Sequence, residues 1–78
     1  MTILSARACA TLARRKADAS PEGITRDGLI AWLCEVGADQ VRAERGITLA
    51  LDRRWIEDSI DDAGRALVRT AAEAERAA

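Results

Sequence analysis

Thr25-Arg26-Asp27-Gly28-Leu29-Ile30-Ala31-Trp32-Leu33-Cys34-Glu35-Val36-Gly37-Ala38-Asp39 (25–39) is the stretch on which the fold turns. Leu29, Ile30, Trp32, Leu33, Cys34 and Val36 cover more than half the circumference of a helix and leave Asp27, Ala31 and Glu35 for solvent. This segment is therefore expected to be the central, most buried helix. Thr25 is placed to cap its start, and Asp27 meets the positive helix end. Gly37 suits the left-handed residue that ends a helix, and Asp39 is the next cap. The pattern is helix, tight turn, helix.

Downstream, residues 39–54 read as helical but divided by Gly46, which weakens a helix interior by roughly 1 kcal/mol relative to Ala. Ile47, Leu51 and Trp55 recur every four residues and mark the inner side, with Trp32 and Trp55 both expected in the core. Arg42, Arg45, Leu49 and Arg53 fall opposite, as an exposed basic stripe. The plainer reading of that stripe is that its arginines keep the face hydrated and pair with neighbouring acids. Ser59-Ile60-Asp61-Asp62 reads as the capped start of a final helix to about Arg76, with Ala63, Leu67, Thr70, Ala71 and Ala74 inward and Arg65, Arg69, Glu73 and Arg76 outward.

Upstream, a first helix is expected from about Ile3 to Ala17, with Met1, Leu4, Ala8, Cys9 and Leu12 on its inner face. Arg7, Thr11, Arg14 and Asp18 lie outside, with Arg14 one turn from Asp18. Ser20-Pro21-Glu22-Gly23 breaks this helix, and Ile24-Thr25 is read as a very short strand.

The chain has 78 residues, a single domain's length, and at that size roughly 60% of the unfolded surface can be buried. Its hydrophobic complement includes 17 alanines, which leaves 21 larger apolar or Cys side chains for a core. That supports a mainly α domain of about four helices. Net charge is −1, distributed as +3 over residues 1–26, −3 over 27–52 and −1 over 53–78. The longest apolar run is six residues, Leu29 to Cys34, so neither a membrane span nor a signal peptide is expected, and the chain reads as soluble and cytoplasmic.

Most chemistry is excluded by residue type. There is no His, Tyr or Phe, which removes the commonest general base and the commonest metal ligand. Cys9 and Cys34 therefore have no imidazole to activate them and read as core residues, with no zinc or disulfide pattern. The glycines at 23, 28, 37, 46 and 64 fit no phosphate-cradling motif. Glu57, Asp58, Asp61 and Asp62 are the only acid/base candidates, and their place at a helix start assigns them to capping. They also lack the alternating oxygen ligands and the turn Gly of a calcium loop. No enzyme activity, metal or cofactor is expected.

Binding is what remains. A helix ending in Gly37, a three-residue turn and a second helix with outward arginines are what a helix-turn-helix requires, with Arg42, Arg45 and Arg53 toward double-stranded DNA and Arg7, Arg14 and Arg15 of the first helix on flanking phosphates. Trp55-Ile56-Glu57 followed by Ile60-Asp61-Asp62-Ala63-Gly64-Arg65-Ala66-Leu67 resembles the end of winged-helix regulators of the MarR and PadR type. In that family a recognition helix runs into a wing strand, and a segment similar to "(I/L)T-x-A-G-R-A-L" leads into a closing helix. The resemblance implies a small winged-helix-like regulatory domain, with Arg42, Arg45 and Arg53 on the recognition helix. Only Asp58 and Ser59 separate the presumed wing strands, and Asp61 stands where the family has Thr, so the hairpin is expected to be minimal or absent. A plain four-helix bundle is the alternative architecture. The alternative function is a protein-interaction module, such as a small inhibitor, an antitoxin-like or phage-encoded modulator, an assembly subunit or a homodimer. Leu49 would be its exposed anchor between Arg42, Arg45 and Arg53.

Overall fold

The computed structural model describes residues 3–71. Three helices and three strands alternate as α1 (Ala6–Asp18), β1 (Ile24–Thr25), α2 (Arg26–Glu35), α3 (Gln40–Asp52), β2 (Ile56–Ile60) and β3 (Ala66–Thr70). The strands form one antiparallel sheet in the order β1-β3-β2. The expectation of a mainly α domain with four helices and a minimal or absent hairpin is corrected: this is an α+β domain with a full hairpin.

The hairpin replaces the helix expected from Ser59. Five residue pairs run from Ile56↔Thr70 to Ile60↔Ala66, and Ile24↔Val68 adds the short first strand to the free side of β3. Asp61 was read as part of a helix start, but its side chain organises a turn instead. Oδ1 accepts from the backbone N–H groups of Ala63 at 2.9 Å and Arg65 at 2.8 Å, and the Asp61 N–H donates to the Arg65 carbonyl at 3.0 Å. Gly64 closes the turn at φ +81°. An Asp serves a helix cap and such a turn with the same local hydrogen bonds, so the choice falls to packing. Paired strands bury Ile56 and Val68 completely in the core, each worth about 1.5–3 kcal/mol. The part of the expected helix beyond residue 71 lies outside the described residues.

Packing of α1 on α3 dominates the helical layer, and small side chains make it close. Cys9, Ala10, Ala13 and Ala17 face Ala43, Gly46, Ile47 and Ala50, all buried. A Cβ at Gly46 would collide with Cys9 Cβ and lie 2.9 Å from the Ala6 carbonyl oxygen. Gly46 therefore does not divide the segment into two helices; α3 is continuous because α1 crosses it there. α1 begins after its cap Ser5, whose hydroxyl accepts from the Ala8 N–H at 3.1 Å, and its inner face is the alanine row, with Leu4 and Leu12 only half-buried.

The segment 24–39 follows its sequence reading at both ends. Thr25 Oγ1 accepts from the Gly28 N–H at 3.1 Å, Gly37 has φ +124°, and Asp39 caps α3. Leu29 and Leu33 are the buried residues of α2, whereas Cys34 and Val36 are exposed and Trp32 is half-buried. α2 is thus less enclosed than expected, because only one of its sides meets the rest of the domain.

Candidate nucleic-acid interface

α3 presents to solvent the side opposite Ala43, Gly46, Ile47 and Ala50. Val41, Arg45, Thr48 and Asp52 line it at alternating spacings of four and three residues, all exposed. Glu44 lies beside Arg45, so the face carries both signs of charge.

The three arginines expected along one rim separate into three environments. Arg45 stands on the outer line of α3. Arg42 is tied back to the helix cap: Asp39 accepts from the Arg42 backbone N–H at 2.7 Å and from its guanidinium at 2.5 Å. The backbone bond, then the guanidinium bond and charge, hold the Asp39 carboxyl below the usual carboxylate range. Here the plainer reading of the stripe applies. Arg53 is the C-cap of α3, and its guanidinium lies 5.5 Å from the centre of the Trp55 ring. Arg14 of α1 reaches the same ring at 5.3 Å. Arg14 does not pair with Asp18, whose carboxylate accepts from the Thr70 hydroxyl at 2.7 Å. Arg7 and Arg15 are exposed on the outer face of α1.

Leu49 is not an exposed anchor. It is half-buried and packed against the core. The exposed large apolar residues are elsewhere, with Val41 57% and Ile60 73% accessible.

Two further arginines enter the site through the sheet. Pairing of β1 with β3 brings the start of α2 beside the hairpin tip, where Thr25, Arg26, Asp27, Arg65 and Ala66 line a shallow groove. Arg26 lies 4.0 Å from Asp58, and Arg65 Nε donates to Asp61 at 2.7 Å. Backbone donation from Arg65, followed by the Arg65 guanidinium, keeps the Asp61 carboxyl below its ordinary range. These residues are 39 positions apart, so only the strand register reveals the groove.

Cys9 is enclosed and its thiol is pushed up by burial first and by the charges of Asp39 and Cys34 next; Cys34 is exposed. Among the described residues, no group of three or more His, Cys, Asp or Glu side chains is arranged to hold a metal ion, and no helix is long and apolar enough to cross a membrane. Comparison of the chain with protein-family models, with curated proteins and with solved structures finds no match.

Proposed function

We propose that the chain is a non-catalytic winged-helix domain that binds double-stranded DNA, with α3 as the helix that enters the major groove and the β2–β3 hairpin as the wing. The observation that carries this reading is the placement of α3. It buries one side on α1, leaves the opposite side open with Arg45 and Thr48 upon it, and leads directly into the hairpin, whose tip lies beside the α2 start. Arg45 is the base-edge contact, since a guanidinium bonds the O6 and N7 acceptors of guanine together. Arg26 and Arg65, together in the groove at the hairpin tip, take phosphates after exchanging their aspartate partners for phosphate oxygens.

Near-neutral net charge makes this a weak, contact-limited binder rather than a broad electrostatic one. Fluorescence anisotropy with a labelled mixed-sequence duplex across a salt series tests the reading. With two phosphate-contacting cations, log affinity against log salt is expected to fall with a slope of about −2, near −0.9 for each phosphate neutralised. Absence of binding at low ionic strength contradicts the proposal.

A second reading makes the same face a protein-docking surface. It is favoured by Val41 and Ile60, the most exposed large apolar side chains of the described residues. Concentration-dependent sedimentation that Ile60→Ser abolishes, without duplex binding, would select it.

A further inference from the structure

Ion pairing divides the arginines of this domain into two sets. Arg26, Arg42 and Arg65, around the α2 start, the α2–α3 turn and the hairpin tip, each lie within 4.0 Å of an aspartate: Asp58, Asp39 and Asp61 respectively. Arg14 and Arg53 are held differently. Among the described residues no carboxylate pairs with either, and both guanidiniums lie over one indole, Trp55, at 5.3 and 5.5 Å from its centre.

We propose that Arg14, Trp55 and Arg53 form a phosphate clamp that grips the DNA backbone beside the groove entered by α3. The proposal rests on the DNA-binding reading and adds to it a contact surface away from the α2 start and hairpin.

Stacking on an aromatic face positions a guanidinium while leaving the N–H groups on its edge available as donors, so a stacked arginine loses less freedom when it takes up an anion. Two such cations beside one ring repel each other. A phosphodiester oxygen pair between them relieves that repulsion and matches the planar donor fork of each. Arg42 and Arg65 instead each spend one guanidinium nitrogen on an aspartate, which also offsets part of their charge.

The clamp lies just past the C-terminal end of α3, beside α1. α1 and α3 run side by side in the same direction: Leu4 lies next to Gly37, Cys9 next to Gly46, and Arg14 next to Trp55 just past the end of α3. Arg53 is eight residues beyond Arg45, about 12 Å along the helix axis at 1.5 Å per residue. The major groove is also about 12 Å wide. A helix entering with its N-terminal half and carrying Arg45 to the bases brings its C-terminal end, and the clamp, to the groove's edge.

The test uses the full chain and a labelled mixed-sequence duplex, with affinity followed across a salt series for the wild type, Arg14→Gln, Arg53→Gln, the double variant and Arg45→Gln. Each clamp variant is expected to weaken binding by a similar factor for every duplex sequence and to make the salt slope shallower by about one. Arg14→Lys and Arg53→Lys keep the wild-type slope, because lysine keeps the charge, but bind less tightly, because it lacks the planar fork. In a Trp32→Phe background, Trp55 emission is expected to change on adding duplex. A double variant that keeps the wild-type slope while Arg45→Gln weakens binding overturns the clamp and leaves the DNA reading standing. A wild-type chain that does not bind duplex overturns both. Binding of a poly-glutamate peptide without duplex assigns the surface to acidic protein and also overturns the clamp.

Discussion

Gly46 sets the distance between α1 and α3. A methyl group there meets Cys9 Cβ and the Ala6 carbonyl, and backbone on the far side of the contact cannot give way as a flexible side chain would. Gly46→Ala gains about 1 kcal/mol of helix propensity but overpacks the crossing at a cost of 1–3 kcal/mol or somewhat more, as core insertions typically do. The expected outcome is a Tm lower by several degrees in a circular-dichroism melt; a raised Tm would mean that the helices do not cross there. Composition had shown 17 alanines without saying what they were for. Their use is this crossing, where small side chains bring two backbones together. Gly46 was misread because propensity considers one helix at a time, whereas the cause lies in the neighbouring one.

Asp61 is the other residue with a measurable consequence. Its carboxyl titrates below the value of 3.8 it takes when unperturbed, because the folded hairpin donates to the charged form. A folded-state value lowered in this way contributes stability above the unfolded value and loses it as pH falls through the folded one. Amide protection in β2 and β3 is therefore expected to decline at acid pH, and Asp61→Ala should remove part of that acid dependence. If the two proteins show parallel stability curves through the acid range, the turn does not depend on the carboxylate. Asp39 carries the same sign at the start of α3.

Among elements, α2, α3 and the two-residue strand were legible because each has local signals at its ends: Thr25, Gly37 and Asp39 all act as their chemistry suggests. The hairpin was not. Leu67 and Ala71 are four apart and Asp61 precedes them, which satisfies a helix as well as a strand pair. What decides is Val68, buried by its pairing with Ile24 across the sheet and with Asp58 of β2, and such long-range pairing leaves no local mark. Flank assignment on α3 shows the same limit. Leu49 lies at the border of the exposed side, and only its packing against the core turns it inward. Leu49→Asp is accordingly expected to destabilise the fold, by about 1–3 kcal/mol in urea unfolding, rather than to dissolve an assembly. Wild-type stability together with lost self-association would return Leu49 to the surface.

For the whole molecule, the element order of two helices flanking a short strand, then a third helix and a hairpin, places α3 between α2 and the wing along the chain, although charge is not concentrated on its open side. Acidic groups at Glu44, Asp52, Asp58, Asp61 and Asp62 are interleaved with Arg26, Arg45 and Arg65. Affinity must come from a few placed contacts. The exposure of Arg45 and the pairing of Arg42 with an acid three residues away could be read from local spacing, but the seating of Arg53 on Trp55 could not, since that ring lies beyond the end of α3. Ile60 is 73% exposed at the hairpin end, so Ile60→Ser should change stability by no more than about 0.5 kcal/mol and leave duplex binding as it is.

The α3 face is tested most directly by titrating the isotope-labelled chain with a short duplex at low ionic strength and following its backbone amides. Shifts are expected to concentrate at Val41, Arg45 and Thr48, with smaller ones at Arg26 and Arg65, and to fade as salt is raised. An unchanged spectrum, or shifts confined to surfaces that exclude α3, would contradict the assignment of that helix to the major groove.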